Sequence, residues 1–339
     1  MFQRYKYCTD SGDPMTTPRK IRWLIAHQPE ELFVRTACAF SDALARQCGN
    51  ELEVEILTPP DYVAKYGELE AMKDLSDGLL PGPDQYKNVH KFWKHFTDGA
   101  FEMCQMQVGW VGEFDPDFKV FDLPYLFDSH EHVSRVVDGP IGRAMCEQLS
   151  EQSAARGLAF TYSGGWRVIG SNTAITSIQD LQNMRVVVQN ELTIGTALDS
   201  IGVQIMTVPP TVWQKNDAVS SGLADAVETT YLRWQGDHVF KTNHSMFMTT
   251  ILVTNEFWSS LTSSQQQAFQ MAASEAAAIE RAWALEDASD YEAKATQRGV
   301  SIVEMNDEDT ALLKKKSQLA YIRSHSLFSK GLVAKIKTA

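Results

Sequence analysis

Apolar and polar positions fall into runs whose period changes along the chain, and each change marks an element. Ile21 to Ala26 (IRWLIA) is a short apolar run that predicts a strand, closed by His27, Gln28 and Pro29. From Glu30 to Arg46 the spacing of Leu32, Ala37, Phe40 and Leu44 predicts a helix, and Glu51 to Leu57 (ELEVEIL) alternates as a strand. Strand, helix, strand in that order predicts a right-handed parallel unit, the start of an open α/β sheet. Gly67 to Asp74 reads as helical, Ser76 to Pro83 as a Gly/Pro loop, and Tyr86 to Phe96 as a helix with Phe92, Trp93 and Phe96 inward. Phe101 to Gln107 is then a strand with Gln105 and Gln107 at its C-terminal end, where open α/β sheets gather their ligands.

Beyond an aromatic-rich loop (Asp117 to Phe127), Ser129 to Glu151 reads as one helix and Gly157 to Tyr162 as a strand. Trp166 to Ile169 is strand, Gly170 to Thr176 turn, Ser177 to Leu181 a short helical turn, and Val186 to Val188 an apolar run. Glu191 to Ile201 reads as helix, Val203 to Val208 as strand, Trp213 to Ser220 as helix and Ala224 to Glu228 as a short strand. Met246 to Thr254 is a long strand-like run, and Ser263 to Gly299 holds one or two long Ala-rich helices opened by a capping box at Thr262 and Gln265. Ser301 to Glu304 is a late strand and Glu308 to His325 a helix; no repeat or low-complexity tract interrupts the series.

A chain of 339 residues with 44% apolar content builds one large or two medium domains. The formal charge of -12 and the absence of a basic stripe argue against nucleic acid as a partner, and no apolar run reaches the ~20 residues of a membrane span. Residues 1 to 19 are polar, with two prolines and a glycine, and are expected to be a disordered arm. They lack the pattern of a secretory signal, so the chain is either cytoplasmic or has had its leader removed or replaced. Five scattered cysteines give no CxxC spacing; Cys38 and Cys48, ten residues apart across a helix end, are the one candidate pair, and buried small hydrophobes are the better reading. His130-Glu131-His132 is poorly spaced for chelation on a helix, so no metal is expected.

Candidate chemistry centres on Gly165 to Gln189, where Arg167 stands between Trp166 and Val168. An arginine in a strand-like apolar run loses solvation that an anionic partner or several acceptors must replace, and its fork matches a carboxylate. A fixed structural ion pair satisfies the same need. His27 follows the first strand at a cleft-like position, and Trp110, Trp166, Trp213 and Trp234 are either ligand platforms or core. No GxSxG, GxxxxGK[ST] or HExxH motif is present, so neither a cofactor nor catalysis is expected.

Five segments together resemble the DctP-type solute-binding proteins of TRAP transporters: VFDLPYLFDSHEHVSRVVDGPIG from Val120, GWRVIGSNTAITSIQDLQNM from Gly165, GLADAVET from Gly222, TNH from Thr242 and LTSSQQQAF from Leu261. The resemblance implies an α/β fold of the two-domain periplasmic-binding-protein type, with a ligand cleft between the domains and a long helix crossing both. In this chain that gives one domain over 20–145, a second over 146–239, each with part of the C-terminal region (about 240–300 for the first), and the bridging helix over 262–299. It implies a monomeric periplasmic receptor that closes by hinge motion on a small organic acid and delivers it to a membrane permease, without chemistry of its own.

Residue by residue, the resemblance places Arg167 at the ligand carboxylate, Gln107 and Ala26 or His27 at cleft positions, and Glu228 and Thr229 in the DAVET segment. One departure stands out. The family's chief clamping arginine falls seven residues after Asp180, which here is Val187. The chain therefore either holds an acid by another arrangement of Arg167, His27 or Arg233, or takes a neutral or aromatic solute on Trp166, Trp213 or Trp234. A soluble ligand sensor, and an α/β enzyme using Arg167 as anion clamp and Glu228 as general base, are the alternatives from other classes.

Overall fold

The computed structural model describes residues 18–25, 27, 30–49, 51–67, 85–188, 191–206 and 217–339. Strand β1 (Arg19–Leu24) pairs in parallel with β2 (Leu52–Leu57) across helix α1 (Glu30–Cys48), whose stripe of Leu32, Phe33, Ala37, Phe40, Ala43 and Leu44 is buried. Arg19 is thus already strand rather than arm; residues 1–17, the helix and loop expected between 68 and 83, and Trp213 lie outside the described residues. Helix α2 (Pro59–Tyr66) was not anticipated, although Thr58 and Asp61 cap it reciprocally and the prolines fall in the first turn, where no N–H is needed. Helix α3 (Gln85–Thr97) buries Phe92, Trp93 and Phe96 as expected.

Strand β3 (Met103–Gln107), buried throughout, pairs in parallel with β1 and antiparallel with β9 (Met246–Thr254), and runs directly into the short helix α4 (Val108–Val111). The single helix expected over 129–151 is two, α5 (His130–Val137) and α6 (Pro140–Gln152). Pro140 has no N–H to continue the first helix and serves instead as the opening residue of the second. His130 Nδ1 lies 2.7 Å from the Tyr162 hydroxyl and His132 Nε2 lies 2.8 Å from the Ile336 carbonyl, so both rings are used in packing. Cys38 and Cys48 are unbonded.

One strand organises the molecule. β4 (Ala155–Ser171) pairs through its first half with β9 and through its second half with β7 (Ala226–Thr230) and β8 (His238–Lys241). Between the halves the register slips from Tyr162 to Trp166, where Gly164 and Gly165 adopt φ of 95° and 77°. Only glycine takes such angles without strain, and a Cβ at Gly164 would stand 2.7 Å from Thr230 Oγ1. The strands continue through β5 (Arg185–Val187) and β6 (Gln204–Met206), both parallel, giving the order β2-β1-β3-β9-β4-β7-β5-β6, with β10 (Ser301–Glu304) joined through β8.

The core divides accordingly. A large cluster packs β1, β3, β9 and the first half of β4 against α1, and two smaller ones cover opposite faces of the sheet beyond the glycines. Helix α7 (Thr196–Asp199) belongs to one of the smaller clusters, through Ala197 and Leu198, and α8 (Asn255–Ser259) precedes the long helix. That helix, α9 (Ser263–Gln297), opens on the Thr262–Gln265 capping box, buries Phe269 to Ala284 in the large cluster and lays Ala288 and Tyr291 on one of the smaller. α10 (Asp307–Ser324) also serves two clusters, through Leu313 and Ala320, and α11 (Leu332–Lys337), unread in the sequence, returns to the large one. Among the described residues no helix is long and apolar enough to cross a membrane.

Candidate ligand-binding site

Strand register brings Arg167 and Glu228 together. β4 and β7 set Arg167 opposite Thr230 and Ile169 opposite Glu228, so the two charged side chains rise from one sheet face at diagonal positions. Arg167 Nη1 stands 3.0 Å from Glu228 Oε1, and both side chains are almost wholly buried. His244 Nε2 lies 3.3 Å from the same oxygen and its Nδ1 lies 2.8 Å from Thr242 Oγ1. Burial pushes His244 below its ordinary pKa despite the nearby carboxylate. A neutral ring fits: Nε2–H donates to Glu228 and Nδ1 accepts from the Thr242 hydroxyl.

Tyr125, in a left-handed conformation (φ 55°), donates its N–H to the His244 carbonyl at 2.6 Å and its hydroxyl to the Thr242 carbonyl at 3.2 Å. Segments far apart in sequence (LPYLF, GWRVIG, ADAVET and TNH) therefore converge on one salt bridge. The bridge engages Arg167 through Nη1; the buried Nη2 has no hydrogen-bond partner among the described residues.

A second cation stands close by. The 3-10 turn Tyr231–Arg233, leaving β7, places the Arg233 guanidinium carbon 4.4 Å from the centroid of the Phe247 ring, and the Arg167 guanidinium carbon lies 4.1 Å from the same centroid. Arg233 Nη2 donates to Ser163 Oγ at 2.5 Å, at the bend of β4. Burial, then the charge of Arg167, pushes the Arg233 pKa down to about 9, so it remains a cation at neutral pH under electrostatic strain.

The other wall comes from the ends of β1 and β3. His27, just past β1, is buried against Phe33, Trp110 and Phe247, with ring centroids 5.0, 5.7 and 5.8 Å away. Burial, Arg233 and Arg167, in that order, push its pKa well below the usual histidine range, and neither ring nitrogen has a partner among the described residues. Trp110 Nε1, on α4, is likewise without one, and the buried Gln107 ends β3 immediately before it. No group of three or more metal-ligating side chains occurs among the described residues.

The structure does not bring every sequence candidate to this place. Val187 pairs with Val227, on the sheet face opposite Arg167 and Glu228, and is wholly buried with Val168, Val219, Trp234 and Val239. This corrects the expectation that Val187 lines the site: the register turns it into the core. Trp234 belongs to the same cluster and lies flat on Gly170, where an added Cβ would stand 2.4 Å from the indole, so it is core rather than a platform. Thr229 alternates onto that face too, opposite Val168. Trp166 packs partly buried against the large cluster. Phe247 is unremarkable inside its strand-like run in the sequence, and only strand pairing makes it the floor of the site.

The architecture is that of a two-lobed α/β binding protein. The chain belongs to the bacterial extracellular solute-binding protein family 7, the DctP family, whose model matches residues 85–326. It is 26% identical over 193 residues to the C4-dicarboxylate-binding periplasmic protein DctP of Rhodobacter capsulatus, a match covering 54% of this chain and 56% of that relative. Among solved structures, a TRAP periplasmic solute-binding protein from Ochrobactrum anthropi superposes with a TM-score of 0.77 at 18% identity, covering 95% of this chain and 94% of that one. One from Pseudomonas putida F1, with bound D-glucuronate, gives 0.75 at 19% identity, covering 95% and 97%.

Proposed function

We propose that this protein is the periplasmic receptor of a TRAP-type transporter, capturing a small organic acid between its two lobes and handing it to the membrane permease as a monomer. The observation that carries the reading is Arg167: a buried guanidinium whose Nη2 donors have no partner among the described residues, beside the second guanidinium of Arg233. Buried donors on a cation cost free energy until an acceptor arrives, and a carboxylate supplies two. Bound D-glucuronate in the Pseudomonas putida protein, and the dicarboxylate specificity in the name of the Rhodobacter capsulatus relative, support an acid. The lobes are drawn at 20–145 and 146–239, each completed from the C-terminal region, with α9 bridging them.

The enzyme alternative fares worse. Glu228, its candidate base, already has Arg167 Nη1 and His244 Nε2 on one carboxylate oxygen, which is occupied by the protein rather than offered to a substrate. The test is mass spectrometry of small molecules released on denaturing the purified protein, followed by thermal-shift screening of acids and neutral solutes. A carboxylate that is released and raises the melting temperature is the expected result; stabilisation by neutral solutes alone would overturn the acid reading.

A further inference from the structure

Resting on that reading, we infer that the site selects a hydroxylated monocarboxylate, whose carboxylate is gripped between Arg167 and Arg233 and whose hydroxyl meets His27 and Trp110. The geometry is carried by Phe247. Both guanidinium carbons lie over its ring, so they are no further apart than 4.1 plus 4.4 Å. One carboxylate carries two oxygens, enough for a fork on each side, and that upper limit leaves room for it between the two guanidinium groups. Arg233 supplies the second arm without the position-187 strand, which the register of β5 commits to the opposite face of the sheet. Ser163 fixes the arm, and the side chain keeps partial exposure.

The far end of the site has a different character. His27, Trp110 and Phe33 present no charge: the imidazole is buried, ringed by aromatics and held neutral beside two arginines. Neutral imidazole offers one N–H and one lone pair, and the indole of Trp110 offers one N–H. None of these three positions has a partner among the described residues. A hydroxyl, which both donates and accepts, satisfies such a set; a second carboxylate arriving there is stripped of water while both arginines are already engaged by the first.

The test is a thermal-shift and calorimetric screen on the full-length protein, using monocarboxylates with and without hydroxyls, the corresponding dicarboxylates, and neutral polyols such as erythritol. The strongest ligand is expected to be a hydroxylated monocarboxylate, with its dicarboxylate counterpart (meso-tartrate against D-erythronate, for instance) at least tenfold weaker. For that ligand, Arg233→Gln should raise Kd at least about thirty-fold, the usual scale for losing one arm of a buried charged contact. His27→Phe should abolish the preference for the hydroxylated over the deoxy acid. A dicarboxylate as the strongest ligand, or an Arg233→Gln variant that melts normally and binds within threefold of the parent, would overturn this assignment while leaving a solute receptor in place. A screen in which no solute of any class stabilises the protein would overturn the receptor reading itself, and this assignment with it.

Discussion

At the level of single residues, the sequence carried the chemistry of Arg167 but not its surroundings. An arginine between Trp166 and Val168 announces a buried cation whatever the fold, because its desolvation has to be answered. Which groups answer it depends on register: Glu228 is diagonal to it across β4 and β7, and the Phe247 beneath it stands 80 positions along the chain. The same register decides Val187. One residue of shift along β5 would turn it to the arginine face, and nothing local in VVV distinguishes the two faces. Val187→Arg therefore does not rebuild a clamp. It puts a guanidinium among Val168, Trp234 and Val239, and we expect a loss of roughly 3–5 kcal/mol in chemical denaturation. A variant as stable as the parent would show that position 187 opens on the cleft after all.

At the level of elements, long periodic segments were legible and interruptions were not. The 35-residue α9 follows from its Ala-rich pattern and its capping box, whereas β4 reads as two strands because Gly164 and Gly165 look like a stop. In the fold they are a bend inside one strand, tolerated because β9 holds one half and β7 the other. α9 is pinned just before that bend: Tyr162 N–H donates to Glu280 Oε2 at 2.8 Å, and Arg281 donates to the Phe160 carbonyl at 2.7 Å and to Asp138 at 2.6 Å. Burial raises the Glu280 pKa to about 8, outweighing the Tyr162 hydrogen bond and the charges of Arg281 and Arg35. The folded state thus keeps a proton that the unfolded chain releases near pH 4.5. The stability Glu280 contributes is full below that pH and is lost as pH rises towards 8, with a slope of at most about 1.4 kcal/mol per unit. Denaturation at pH 5.5 and 7.5 should show this loss in the parent and not in Glu280→Gln; equal slopes in the two proteins would place the carboxylate's pKa outside that window.

At the level of the whole molecule, the site takes its parts from two sides of the β4 bend. Arg167, Glu228 and Arg233 belong to the sheet beyond the glycines; His27, Gln107 and Trp110 belong to the ends of β1 and β3; Phe247 lies at the crossing, on the strand that pairs with the first half of β4. A solute touching both sides binds best when they approach, and a ligand shifts a conformational equilibrium only by such a difference in affinity. The backbone has a place to absorb the rotation, because Gly164 and Gly165 already occupy angles that other residues avoid. α9 spans the junction, packing on the large cluster and on one of the smaller, so a movement of one side against the other is a bend rather than a separation. Small-angle X-ray scattering with the strongest carboxylate at saturation should therefore give a smaller radius of gyration than the ligand-free protein. Arg167→Ala, at the same ligand concentration, should stay at the ligand-free value, because the contact that rewards closure is gone. If the parent is saturated and its scattering curve does not change, the lobes do not close on the ligand, and the bend in β4 serves only to carry one strand between two sheets.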